Sequence, residues 1–209
     1  MENLQSRNHA RVKNLALTAI FISLELLLFL TPLGFVPVGP VNATTLHLPV
    51  IMAAIMLGSK AGLSVGFTFG FLSLLKNTFN PTITSFVFSP FYSLGDIHGN
   101  LASLWTAMGP RLILGLGTAL LFRLLYKLLR NRLLAAGIAA GCMTFIHTIL
   151  VMSSIYFFFA QPYAQVRNSA PMTLFTVIGT VIAVNGLMEL LLAIFVAAGS
   201  AHFSRKGLE

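Results

Sequence analysis

Six polar side chains lie in stretches that are otherwise apolar, and they are where this chain could do chemistry: Glu25, His47, Arg111, His147, Asn185 and Glu189. Inserting an ionisable group into lipid costs at least ~2.5 to 3.5 kcal/mol, so such groups normally face a cavity or a partner. One fixed cation, Arg111, among several hydrogen-bonding groups suits the capture of a small anionic solute. Asn185 and Glu189, four residues apart, share one face of a helix. Of the set, only Glu189 is expected away from the outer half or middle of its segment. No HExxH or comparable spacing accompanies His47 and His147, and Cys142 is the only cysteine, so neither a metal site nor a disulfide is expected. A nucleophile elbow and a Ser/His/Asp signature are missing as well, which leaves no catalytic residue to nominate. A nucleotide-binding GxxxxGK[ST] loop is also missing, so the chain carries nothing to drive transport by itself; no cofactor is expected.

The elements that must position these residues follow from composition. The 209 residues are 56% hydrophobic and 9% charged, with a mean hydropathy of +0.87. An ordinary soluble domain has about 25% charged residues, so a soluble globular protein is excluded. Each membrane-spanning helix takes roughly 20 apolar residues, which leaves room for six spans and no soluble domain. Apolar runs at 14–31, 45–58, 61–75, 104–129, 133–159 and 172–199 predict a single all-α, multi-pass membrane domain over residues 1–209. The second and third runs are short and meet at Gly58-Ser59-Lys60, which predicts a tight helical hairpin.

The net charge of +8 would suggest nucleic acid in a soluble protein, but here the cations cluster in short flanks between apolar runs, so no nucleic-acid partner is expected. Arg7, Arg11, Lys13, Lys60, Arg123, Lys127, Arg130, Arg132, Arg205 and Lys206 fall on one side, against Lys76 and Arg167 on the other. The positive-inside rule then places both termini in the cytoplasm. The basic start resembles a signal peptide, but no small-residue cleavage site follows, so it reads as a retained first helix.

Two outer connections stand apart. Residues 31–44 carry Pro32, Pro37 and Pro40, which cannot continue a helix. Residues 77–103 are rich in Phe, Pro and Gly, as expected of a cover over an outward pocket or of an interfacial aromatic belt. Gly58, Gly62, Gly66 and Gly70 form one small-residue stripe, Gly137 and Gly141 a second, and Ala19 with Ser23 a third. Such stripes let helices approach closely.

Several stretches together resemble one family. They are Leu33-Gly-Phe-Val-Pro-Val-Gly39, Ala43-Thr-Thr-Leu-His-Leu-Pro49, Leu57-Gly-Ser-Lys-Ala-Gly62, Phe88-Ser-Pro90, Gly109-Pro-Arg111 and Asn185-Gly-Leu-Met-Glu189. Together they resemble the substrate-binding S-components of energy-coupling factor vitamin importers, most of all the pantothenate type. A pyridoxine, hydroxymethylpyrimidine or folate type is the next reading. The resemblance implies a plasma-membrane subunit that binds a vitamin near its outer face and docks on a transmembrane T-component carrying two ATPase subunits. It also implies that Arg111 receives the vitamin carboxylate through two parallel hydrogen bonds. Asn185 and His147 would serve hydroxyl or amide groups, with Thr44, Thr45 and His47 at the outer end of the second helix. For Arg111 the competing role is an ion pair with Glu25. Docking would use Ala16, Ala19 and Ser23 on the first helix, where Ser23 departs from the family's AxxxA pattern. His147 stands where related members often carry Asn. A self-sufficient permease and an intramembrane hydrolase are the alternatives of other classes; an enzyme is not expected.

Overall fold

The computed structural model describes residues 2–38, 41–166 and 171–203; the side chains at 2–6, 35–38, 41–43, 171–175, 177, 178, 181, 184, 185 and 201–203 lie outside that description. Six α-helices occur among the described residues: α1 (Glu2–Leu30), α2 (His47–Leu57), α3 (Ser59–Phe79), α4 (Leu101–Leu129), α5 (Arg132–Val166) and α6 (Pro171–Phe203). Three contain stretches long and apolar enough to cross a membrane, namely Arg7–Leu30, Leu101–Leu129 and Arg132–Val166. Their outward faces carry Leu15, Ile20, Leu27, Leu120 and Phe157, while Glu25, His47, Arg111, Thr144 and His147 are buried. That inversion of the soluble pattern suits a lipid surround.

Local chemistry explains the helix ends. Asn100 caps α4 by accepting from the Ala102 N–H, and Ser103 returns a bond to the Asn100 N–H, a reciprocal capping box. Arg130 ends α4 in the left-handed region at φ 55°, and the Asn131 side chain accepts from the Leu134 N–H to start α5. α2 and α3 are joined through Gly58 alone, at φ +90°, a backbone conformation that glycine adopts without strain. α5 bends at Phe159, whose φ of −133° leaves the helical region.

α3 and α4 meet along the first small-residue stripe. A Cβ added at Gly62 would lie 2.6 Å from the Gly115 carbonyl oxygen, and one at Gly66 would lie 2.5 Å from that of Arg111. The stripe is thus an internal seam that brings two backbones into contact. The second stripe is also internal: Gly137 and Gly141 face Ile194 of α6.

The α1–α2 and α3–α4 connections are more ordered than their composition suggests. Between α1 and α2, β1 (Phe35–Val38) pairs antiparallel with β2 (Val41–Thr44), placing Phe35 opposite Thr44. Pro32 opens a 3-10 turn (Pro32–Gly34) and Pro37 lies in β1, where proline is tolerated because this two-stranded ladder has only edges. Between α3 and α4, the connection is shorter than expected because α3 runs to Phe79 and so includes Asn77. It then makes a 3-10 turn at Ser85–Val87 and a two-residue ladder between β3 (Ser93–Leu94) and β4 (Ile97–His98).

Candidate functional site

Arg111 is held in place by the residue before it. A proline inside a helix has no N–H for the carbonyl four residues back. In α4 that proline is Pro110 and the freed carbonyl is that of Thr106, to which Arg111 Nη1 donates. The guanidinium is otherwise enclosed by aromatic faces, 5.2 Å from the Phe69 ring centroid and 5.5 Å from that of Phe88. Such cation–π contacts strengthen when desolvated, and Arg111 is buried. Its Nε has no hydrogen-bond partner among the described residues.

The ion pair with Glu25 is not formed. Glu25 is fully buried on α1, yet neither carboxylate oxygen has a hydrogen-bond partner among the described residues. The carboxylate that acts on Arg111 electrostatically is Glu189. This corrects the expectation that set Glu189 apart from the other polar groups. Glu189 Oε1 also accepts from the Thr44 backbone N–H at 2.9 Å, so one carboxylate on α6 reaches both the end of β2 and the field of Arg111.

His47 opens α2 and is buried, with Nδ1 bonded to the Thr44 carbonyl. Its Nε2 has no partner among the described residues, and the same holds for both ring nitrogens of His147 on α5. His147 lies within electrostatic reach of both Arg111 and His47, and its ring centroid is 6.0 Å from that of Phe69. Thr144, one turn earlier on α5, is buried with an unpartnered hydroxyl. Arg111, His47 and His147 therefore form one cluster contributed by three helices, with Glu189 of α6 at its edge.

The other expected binding residues enter differently. Thr44 contributes its backbone, as N–H to Glu189 and carbonyl to His47. The Thr45 hydroxyl donates to the Leu33 carbonyl at 2.7 Å and closes the base of the hairpin. Asn185 lies one turn before Glu189 on α6, but its side chain is outside the described residues. Sequence reading missed Phe69, Thr106 and Thr144, and singled out Phe88 only as part of an aromatic cover. Two of these carried a local signal: Thr106 stands four residues before Pro110, and Thr144 three before His147.

On α1, Ala16, Ala19 and Ser23 are exposed, whereas Phe21 and Glu25 are buried. The Ser23 hydroxyl donates to the Ala19 carbonyl at 2.9 Å, so it makes no polar demand on that face.

Residues 13–200 match the model of the family described as ECF transporter, substrate-specific component. A pantothenic acid transporter of Lactococcus lactis subsp. cremoris is 35% identical over 188 residues, covering 88% of this chain and 90% of that protein. A pantothenate transporter of Leuconostoc mesenteroides subsp. mesenteroides is 32% identical over 154 residues, covering 68% of this chain and 67% of its own.

Proposed function

The chain belongs to the family of ECF transporter substrate-specific components, a transport protein of the plasma membrane rather than an enzyme, and from that premise we propose that it captures pantothenate. The observation that carries the reading is an unfilled set of buried polar atoms. Arg111 Nε, His47 Nε2, both His147 nitrogens and Thr144 Oγ1 all lack partners among the described residues. Buried polar groups are almost always hydrogen-bonded, so a cluster of open ones is what a binding site without its ligand presents. Pantothenate supplies the complement: a carboxylate for Arg111, and two hydroxyls and an amide for the histidines, Thr144 and Asn185. The two pantothenate transporters similar to this chain support that choice over other vitamins.

The same proposal includes six membrane-spanning helices with both termini in the cytoplasm. The arrangement of the turns supports it: a Cβ at Gly58, in the turn that carries Lys60, would lie 3.0 Å from the Arg123 guanidinium, so two basic flanks share one end of the bundle. Energy comes from partners, a transmembrane T-component with two ATPase subunits, docked through the exposed small residues Ala16, Ala19 and Ser23 of α1. Ala19→Trp then leaves vitamin binding nearly intact and abolishes ATP-dependent uptake into vesicles that contain the coupling proteins.

The decisive experiment is calorimetric titration of the purified chain with pantothenate, together with mass spectrometry of whatever small molecule copurifies. Saturable binding of pantothenate is expected. Copurification of a different vitamin, with no heat from pantothenate, would move the chain to another branch of the family.

A further inference from the structure

The open polar atoms of the site differ in how free they are to choose a partner. Arg111 can only donate. His147 has no partner on either nitrogen among the described residues, so it can take either tautomer, and the Thr144 hydroxyl can rotate. Both adapt to a donor or an acceptor and discriminate poorly between them. His47 differs because its Nδ1 faces the Thr44 carbonyl, which can only accept. The proton must therefore sit on Nδ1, and in the uncharged ring Nε2 is left as a lone-pair acceptor, buried and open. Glu189 also accepts, but one oxygen is committed to the Thr44 N–H, and its negative charge repels an anionic ligand.

We infer that His47 is the specificity-determining acceptor of the site: its Nε2 requires the ligand to present an O–H or N–H donor at that point while the anionic end rests on Arg111. The inference deepens the pantothenate reading and rests on it. It makes the hairpin part of the recognition, because the carbonyl that locks the tautomer belongs to the last residue of β2. A ligand lacking that donor would leave a buried acceptor unpaired, the situation in which polar sites reject analogues most strongly.

The test is a grid of titrations. Pantothenate and three analogues, each lacking one hydroxyl or carrying an N-methylated amide, are measured against the unaltered chain, His47→Leu and His47→Gln. On the unaltered chain one analogue is expected to bind at least about tenfold more weakly than pantothenate, as for loss of a buried hydrogen bond. Against His47→Leu that ratio should collapse to about threefold or less. Against His47→Gln, whose side-chain oxygen can occupy the Nε2 position, the ratio should be largely restored. A ratio that persists undiminished in His47→Leu overturns the inference. If His47→Leu binds nothing at all, His47→Gln decides: retention of the ratio supports the assignment and its loss overturns it. Failure of pantothenate to bind the unaltered chain would instead overturn the functional reading on which the inference rests.

Discussion

The α1–α2 hairpin and the α3–α4 connection are fastened by opposite means. The α3–α4 connection is fastened to its own helices by hydroxyl groups. Ser85 Oγ donates to Asn77 Oδ1 at 2.7 Å, Thr78 and Ser89 hydroxyls meet at 2.7 Å, and Ser103 Oγ donates to the Phe86 carbonyl at 2.6 Å. Phe86 and Val87 are fully buried, and Phe86 meets Phe159 edge-on at the bend of α5. None of these bonds involves Arg111, His47 or His147. The hairpin between α1 and α2 is fastened through the site: its last residue, Thr44, is bonded to Glu189 on one side and His47 on the other. One connection is fastened by hydrogen bonds outside the cluster and meets it through the Phe88 ring over Arg111. The other is attached by groups that a ligand would meet.

Breaking the difference begins at its centre. Arg111→Ala removes the guanidinium of the cluster, so pantothenate binding should weaken by ~1.5 to 3 kcal/mol, the range for hydrogen bonds to a charged group. Calorimetry on a folded variant measures this directly, and unchanged affinity would take Arg111 out of the site. Next comes the α3–α4 connection. Ser103→Ala strips the buried Phe86 carbonyl and the Asn100 N–H of their partner, so stability should fall by about 1 to 3 kcal/mol while affinity changes little. A thermal melt with and without pantothenate separates the two effects.

Glu189 sharpens the comparison because charge and tether can be removed separately. Glu189→Ala loses both, and hydrogen exchange over residues 41–46 should quicken, corresponding to about 1 kcal/mol of lost protection. Glu189→Gln keeps an acceptor for the Thr44 N–H and removes the repulsion toward an anionic ligand. Binding of pantothenate should then tighten by about threefold, roughly 0.6 kcal/mol. Weaker binding to Glu189→Gln would show that the charge, rather than the tether, matters for capture. The smallest effect belongs to Thr45→Val. It opens the base of the hairpin at a partly exposed bond, for a cost of about 0.5 kcal/mol visible only as faster local exchange.

Much of this is legible in the sequence. Arg111, His47 and His147 stood out because a charged or imidazole side chain in an apolar run needs a reason to be there. The glycines at 62 and 66 announced a close helix contact through their spacing. Glu189 was misplaced because its role depends on β2 ending beside α6, a contact spanning 145 positions that no local pattern encodes. Phe69 looked like an ordinary apolar residue and Phe88 like part of an aromatic-rich cover, and only the fold sets both over a guanidinium. A Glu25 ion pair is the competing role that chemistry alone offers Arg111, and the packing of α1 leaves the Glu25 carboxylate without a hydrogen bond among the described residues.

The glycine seam between α3 and α4 has a consequence for how such a protein can change over generations. A Cβ at Gly115 would run into the Gly62 carbonyl oxygen, and the carbonyl that bars a methyl group at Gly66 is that of Arg111 itself. The backbone beneath the cation therefore leaves no room for even the smallest side chain. Variation that retunes the pocket for a new solute must accumulate elsewhere, at His47, Thr144 or His147, whose side chains can be exchanged without parting two helices. The position of the backbone that carries Arg111 is thus the inflexible part of the inheritance, and the side chains around it are the part open to selection.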